Sequence, residues 1–234
     1  MGKAAVQGEL VFHEVGTWGG HRDGSGRKRR KDGVAHVSRE QVTRHDPMLV
    51  TIKRARGLVN LRYPAAAQVI FERVMLAQKD AFRITHFTIQ DTHLHLLVEA
   101  DDAAAFVNGM KGFVASLAKA LNKLWGRRGR VFPERFHSRV LKSVRAVWNA
   151  IKYVLNNYLK HGVMLEKERG ALRKPDQFSS GRYFDGWRGY LPEVRAGSPE
   201  SPVVKGCWKS SIGWKLRHAQ LSLAAVPGRS SCSS

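Results

Sequence analysis

Between residues 48 and 142, strand-like and helix-like patterns follow one another in an order that few folds accommodate. Polar and apolar residues alternate, as they do along strands, in three segments: 48–55, 82–99 and 135–142. The middle segment is long enough for two strands joined near Asp91. In its second half alternate side chains point to opposite faces. One face carries Leu94, Leu96 and Val98, and the other carries His93, His95 and Leu97.

Two helix-like segments separate these strands. Apolar residues recur at helical spacing over residues 64–79 and 101–126, the second beginning at an aspartate cap and ending at a glycine. The resulting order, β-α-β-β-α-β, predicts an α+β fold with a ferredoxin-like sheet. A further amphipathic helix is predicted over residues 144–160 and is appended to this sheet.

The charge of the chain indicates the class of its partner. The 234 residues include 40 Lys and Arg against 19 Asp and Glu, a formal net charge of +21. Such a field attracts polyanions, and nucleic acid is the commonest one for a basic protein of this size. A highly charged protein that has no polyanionic partner is the alternative.

Composition also divides the chain into three regions. Residues 1–44 are predicted to be a disordered basic arm, because they contain a Gly-rich stretch that ends in five consecutive basic residues. Residues 45–165 are predicted to fold as the main domain, and residues 166–234, rich in Gly, Pro, Ser and Trp, as a C-terminal extension.

No segment has the roughly 20 apolar residues of a membrane span, and no signal peptide is visible. We therefore expect a cytoplasmic, nucleoid-associated protein.

Two histidines are candidates for metal binding. His93 and His95 are two residues apart on a predicted strand, so both imidazoles lie on one face and can reach the same ion. Residues on the opposite face anchor the strand in the core. An ordinary pair of hydrogen-bonded histidines is the alternative, and the triplet by itself does not decide between them.

A tyrosine on the helix at residues 144–160 is a candidate nucleophile. With 100° per residue, the apolar residues of this helix cluster around Ile151, whereas Tyr153 is roughly 200° away on the polar face. Asn157 follows it by one turn on the same side, so a phenol oxygen and an amide oxygen can approach one site. A nearby cation would help the phenol to ionise. An exposed surface tyrosine is the alternative.

Together these features resemble one family, the HUH single-tyrosine transposases, and in particular their REP-associated branch. That family carries His-hydrophobic-His on a central strand of a ferredoxin-like sheet and a Tyr-x-x-x-Asn/Gln pattern on a later helix. The corresponding segments here are THLHLLVEA, with His93 and His95, and YVLNNYLKHG, with Tyr153 and Asn157. The segments GRVFPERFHSRVL, FDGWRG and GWKLRH also look like members of the family. The resemblance spans residues 45–165 well, but many members have proline after this asparagine, where Tyr158 stands here.

The resemblance implies a reaction and a set of site residues. A divalent metal, Mg²⁺ or Mn²⁺, would be bound by His93, His95 and Asn157, and Tyr153 would attack a scissile phosphate to form a 5′-phosphotyrosine. The substrate would be single-stranded DNA next to a hairpin. Basic residues are candidates for phosphate contact, with His137 a weaker one: Lys111, Lys119, Arg135, His137, Arg139 and Lys160.

Other functions and assemblies remain open at this point. A ferredoxin-like sheet also serves RNA binders, so the chain can be a hairpin DNA- or RNA-binding protein without catalysis, although no aromatic RNP-type pattern is visible. An inactive transposase remnant and a basic ribonucleoprotein component are further alternatives. A homodimer that shares its active site between subunits and a monomer are both compatible with the sequence.

Overall fold

The computed structural model describes residues 41–161 and 174–227 of the chain. Within these ranges the strands and helices follow the predicted order: β1 Met48–Lys53, α1 Pro64–Ala77, β2 Phe82–Ile89, β3 His93–Ala100, α2 Ala103–Leu124, β4 His137–Val140, α3 Val144–Asn156 and α4 Tyr158–His161. A 3-10 helix, Ser180–Tyr183, and a π-helix, Lys209–Gly213, follow in the C-terminal part. The predicted arm lies outside the described residues, except for its last four.

The four strands form one antiparallel sheet in the order β2-β3-β1-β4. This arrangement confirms the predicted ferredoxin-like sheet, in which β1 and β3 lie at the centre. Strand β4 is four residues long, shorter than the predicted segment 135–142. Strand β1 pairs with β3 over its whole length, and Thr51 of β1 lies opposite His95 of β3.

The first face of the sheet packs against α1 and α2. The strands contribute alternate apolar residues to this core, for example Val50, Leu94 and Leu96, all of them fully buried. Helix α2 begins at Asp102, whose carboxylate accepts a 2.7 Å hydrogen bond from the backbone N–H of Ala105. Such a cap satisfies one of the N–H groups that a helix leaves unpaired at its first turn.

A β-bulge in β2 keeps the apolar residues of this strand on the first face. Strict alternation would turn Ile84 and Phe87 to opposite faces, because they are three residues apart. The register instead shifts between Ile84 and His86, so that Ile84 opposes Val98 and Phe87 opposes Leu96. Both apolar side chains therefore reach the same core, and His86 is turned to the second face.

The second face of the sheet packs against α3 and the C-terminal segment. Leu97 of β3, Val154 of α3 and two tryptophans, Trp187 and Trp214, belong to one buried cluster there. The predicted helix over residues 144–160 is divided at Asn157, which ends α3 before the short helix α4 begins. Helix α3 is thus covered by the sheet on one side and by C-terminal residues on another.

Several polar contacts hold the C-terminal segment to the rest of the fold. Arg62 binds both carboxylate oxygens of Asp176, at 2.8 and 2.9 Å, in the bidentate geometry that favours this pair. Glu99, buried at the end of β3, accepts hydrogen bonds from the backbone of Cys207 and the hydroxyl of Ser210.

No helix in the described part of the chain is both long and apolar enough to cross a bilayer.

Burial of His86 predicts a dependence of stability on pH. Burial lowers the pKa of His86 to about 4 from the ordinary 6.5, an effect that Asp185 partly opposes. Between these two values the unfolded chain binds a proton that the folded chain does not, so the free energy of unfolding falls as pH drops from 6.5 to 4. The full contribution is roughly 3 kcal/mol.

We expect His86→Gln to flatten this pH dependence in urea unfolding between pH 4 and 7.5. The exposed His137→Gln is the matched control and should leave the slope unchanged. Equal slopes for the native chain and the His86 variant would contradict the assignment.

Candidate functional site

The two histidines of β3 lie together on the second face of the sheet, as predicted. Their Nε2 atoms are 3.0 Å apart, and their rings meet edge to face with centroids 4.6 Å apart. His95 is 5% exposed, whereas His93, at the start of the strand, is only partly buried. Both imidazoles therefore present the same nitrogen to one point at the edge of the α3 layer.

Threonine hydroxyls contact the other nitrogen of each ring. The Thr51 hydroxyl lies 2.9 Å from Nδ1 of His95, and the Thr92 hydroxyl lies 3.1 Å from Nδ1 of His93. A proton on Nδ1 that is donated to the threonine leaves a lone pair on Nε2, which is the form of the ring that binds a metal. The hydroxyls thus favour the tautomers in which both Nε2 atoms are available as ligands.

Tyr153 of α3 reaches the same point. Its hydroxyl lies 3.2 Å from Nε2 of His95, and the two rings have centroids 4.9 Å apart. Burial raises the pKa of Tyr153, because the phenolate is less well solvated than in water. The fold therefore brings the predicted nucleophile to the histidines but does not by itself make the phenol more acidic, so a positive charge nearby would be needed for that.

Asn157 lies in a buried environment. We expected Tyr153 and Asn157 to share a polar face of the helix, and on that face Asn156 and Asn157 are both fully buried. The C-terminal segment contacts Asn156, whose amide nitrogen donates to the carbonyl oxygens of Ser222 and Ala225, at 3.0 and 2.8 Å. The spacing of residues along the helix identifies this face as polar but does not show that a distant segment packs on it.

Both amide atoms of Asn157 lack a hydrogen-bond partner within the described residues. A buried polar group without a partner is costly, and such groups in proteins commonly indicate a bound ion or water. Asn157 stands one helical turn after Tyr153, so its amide lies on the same side of the helix as the phenol. The structure shows no contact between this amide and the histidine rings.

The donor set fits a divalent ion. Two ligand atoms at right angles about one ion, each with a bond of about 2.1 Å, lie about 3.0 Å apart. The Nε2 atoms of His93 and His95 have this separation. In the described part of the chain no three His, Cys, Asp or Glu side chains form a possible metal cluster. Any remaining ligands would therefore be oxygens of other kinds, such as an amide, a phosphate or water, which suit Mg²⁺ and Mn²⁺.

The structure separates the predicted DNA-contact residues into two groups. His137 of β4 lies opposite Thr51, which lies opposite His95, so the three residues form one row across the second face. Arg139 follows on the same face, and both side chains are exposed. His137 is two strand spacings, roughly 10 Å, from His95.

The other predicted contacts lie elsewhere or are not described. Lys111 and Lys119 are exposed on α2, the layer that packs on the first face, so the fold does not bring them to the histidines. Arg135 precedes β4 and lines a groove of about 480 Å³ together with Lys111. Lys160 belongs to α4, and its side chain lies outside the described part of the chain.

Sequence reasoning did not identify Thr51 as a site residue. The alternation of Leu49, Thr51 and Lys53 was visible, and it indicates that the three residues share a face. Which residue of β3 lies opposite each of them depends on the register of the β1–β3 pair, and that register is set by the whole sheet. The hydroxyl became a candidate only when the pairing was known.

Comparison with known proteins shows the fold. No family model matches the chain, and no curated protein matches it. Among solved structures, a REP-associated tyrosine transposase bound to a REP hairpin is similar over 70% of this chain and 98% of its own, with a TM-score of 0.50 and 15% identity. The two chains share a fold. A bacterial tRNA(His) guanylyltransferase-like protein in complex with ATP has 10% identity over 56% of this chain and 63% of its own; its TM-score of 0.35 is too low to support a comparison.

The contact between Thr51 and His95 predicts an effect on the histidine tautomer. Thr51→Val removes the hydroxyl that lies 2.9 Å from Nδ1 of His95. If that hydroxyl accepts the Nδ1 proton, the proton should redistribute toward Nε2 in the variant, and the affinity for Mn²⁺ should fall by roughly tenfold or more. Nitrogen-15 chemical shifts of the His95 ring in the metal-free protein measure the tautomer, and calorimetry measures the affinity. Thr51→Ser should restore both values, and the idea fails if the valine and serine variants behave alike.

Proposed function

We propose that this chain is a metal-dependent transposase that cleaves and rejoins single-stranded DNA at hairpins through a 5′-phosphotyrosine intermediate. The observation that carries the proposal is the convergence of Tyr153, His95 and His93, whose reactive atoms are linked by distances of 3.2 and 3.0 Å. These residues come from two elements that are far apart in the sequence. The fold shared with a hairpin-bound tyrosine transposase supports the same reaction class.

The nucleophile in this proposal is the phenol oxygen of Tyr153. It attacks the scissile phosphorus and loses its proton, the bond from phosphorus to the 3′ oxygen breaks, and that oxygen takes up a proton. The products are a 5′-phosphotyrosine and a free 3′-OH. Attack by a 3′-OH on the tyrosine link reverses the step and rejoins a strand, so the energy of the phosphodiester is conserved and no nucleotide cofactor is needed.

His93, His95 and Asn157 would hold the divalent ion, Mg²⁺ or Mn²⁺. When bound, that ion supplies positive charge that stabilises the charge developing on the phosphate. The protein positions its own groups around this point: Thr51 orients His95, and the apolar side of α3 fixes the backbone of Tyr153. Preorganisation of this kind lowers the barrier, because few groups must move as the reaction proceeds.

Basic side chains would bind the DNA backbone. His137 and Arg139 lie on the face of the histidines, and the net charge of +21 favours binding that weakens strongly with salt. All the groups in the proposed reaction come from a single chain. We therefore propose that one subunit suffices for catalysis, with homodimerisation not required.

The nucleophile can be tested with a hairpin oligonucleotide that carries a label at its 3′ end. Cleavage in Mg²⁺ or Mn²⁺ should transfer the label to the protein as a band that survives denaturation, while a 5′ label should leave on a fragment with an extendable 3′-OH. Tyr153→Phe should reduce adduct formation at least ~1000-fold, because the attacking oxygen is absent.

Tyr158→Phe is the matched control for this variant. Tyr158 stands just beyond α3, and its buried hydroxyl has no hydrogen-bond partner in the described residues, so its loss should leave the adduct unchanged. An adduct that persists in the Tyr153 variant would remove Tyr153 from the chemistry. Hairpin binding without an adduct in any metal would support the alternative, a non-catalytic DNA- or RNA-binding protein.

The metal site predicts a separate result. His93→Ala and His95→Ala should each weaken Mn²⁺ binding in calorimetry and abolish metal-dependent cleavage, since each removes one of two nitrogen ligands. His137→Ala, on the same face but two strands away, should keep Mn²⁺ affinity within a factor of about two. Unchanged Mn²⁺ affinity in both β3 variants would exclude a metal site at these residues.

A further inference from the structure

A buried glutamine lies beside the two histidines, at the turn that joins β2 to β3. The backbone N–H of Gln90 donates to the carbonyl oxygen of His93, 2.9 Å away, and so closes the hairpin. Two positions further on, Thr88 lies opposite His95. Residues opposite each other in a strand pair share a face, and so do alternate residues of one strand. The side chains of Gln90 and Thr88 therefore project from the second face, next to the imidazoles.

The side-chain amide of Gln90 is hydrogen-bonded at one end only. Its nitrogen donates to the hydroxyl of Thr88, 3.1 Å away, and the two residues are 3% and 0% exposed. The oxygen lies on the other side of the planar amide and accepts no hydrogen bond from the described residues. A buried amide oxygen without a donor is costly, so this oxygen is suited to a ligand.

A divalent ion is the ligand that this environment favours. Amide oxygens are ligands that Mg²⁺ and Mn²⁺ accept, whereas a DNA phosphate is itself an acceptor and cannot donate to the Gln90 oxygen. The Nε2 atoms of His93 and His95, 3.0 Å apart, are placed to bind one ion. In the described ranges no His, Cys, Asp or Glu side chain forms a cluster of three with them. Glutamine supplies the missing kind of ligand, an uncharged oxygen, from the same hairpin.

We propose that the amide oxygen of Gln90 is a further ligand of the divalent ion, an inference that rests on the proposed function. Gln90, His93 and His95 then supply three ligands from one hairpin, and Asn157 supplies a fourth from α3. Four protein ligands leave two positions of a six-coordinate ion for the scissile phosphate and water. Thr88 is a positioning residue, because it holds the amide nitrogen and so directs the oxygen away from its own strand.

A purely structural glutamine would respond differently to substitution by glutamate. Glutamate keeps the length of the side chain and one of its oxygens but adds a negative charge and loses the N–H that donates to Thr88. For a metal ligand, the added charge strengthens the bond to a divalent ion. For a residue that only packs and bonds to Thr88, the same change buries a charge without a partner and brings no gain in metal affinity.

Calorimetric titration of the full-length protein with Mn²⁺, in the absence of DNA, tests the inference without catalysis. Gln90→Ala removes one oxygen ligand and should weaken Mn²⁺ binding by roughly tenfold or more. Gln90→Glu should bind Mn²⁺ more tightly than the native chain, because a carboxylate adds negative charge at the same reach. Thr88→Val removes only the partner of the amide nitrogen and should weaken binding less than Gln90→Ala does. Urea unfolding verifies that each variant is folded.

Gln68→Ala and Gln68→Glu are the matched controls, since Gln68 is exposed on α1, in the layer that packs on the first face. Both should keep the native Mn²⁺ affinity within a factor of about two. The inference is overturned if Gln90→Ala binds Mn²⁺ as tightly as the native chain, or if Gln90→Glu binds no better than Gln90→Ala. Where His93→Ala loses Mn²⁺ in the same titrations, either result leaves the proposed function standing, whereas a native chain that binds no Mn²⁺ overturns both.

Discussion

The packing of α3 on the second face of the sheet is the constraint on which the candidate site depends. Leu97, in the middle of β3, belongs to the same buried cluster as Val154 of α3. Since His95 precedes Leu97 by two residues on that face and Tyr153 precedes Val154 on the helix, burial of this apolar pair brings phenol and imidazole together. The polar site is thus positioned by an apolar contact beside it, and its 3.2 Å separation follows from core packing.

The burial that positions Tyr153 also opposes the chemistry that we propose for it. It raises the pKa of the phenol, and a less acidic phenol is a poorer source of nucleophile at neutral pH. A cation between the two Nε2 atoms and the hydroxyl would act against this effect at short range, where the low local dielectric makes charges interact strongly. In the proposed reaction, a nucleophile that needs activation would thus lie beside a pair of nitrogens suited to hold its activator, and this coupling would restrict reaction to the assembled complex.

The sequence predicted the features that depend on local periodicity. Alternation along residues 93–98 placed both histidines on one face, and the 3.6-residue period separated Tyr153 from the apolar stripe of its helix. Features that depend on distant segments were missed. The partner of His95, Thr51, depends on strand register, and the contacts that bury Asn156 depend on a segment 66 to 69 residues later. The placement of Lys111 and Lys119 was missed for a similar reason, because charge on a helix does not tell on which side of the sheet that helix packs.

The contacts between Asn156 and residues 222–225 have a consequence for biosynthesis. Because a chain emerges from the ribosome N-terminus first, the sheet and its α1–α2 layer can form before the segment that covers the far side of α3 has been made. Until then, the amide of Asn156 that is buried in the finished protein would still be exposed to water. A ribosome that stalls or terminates before codon 222 would consequently release a chain in which α3 still packs on the sheet but Asn156 lacks both of its hydrogen-bond acceptors.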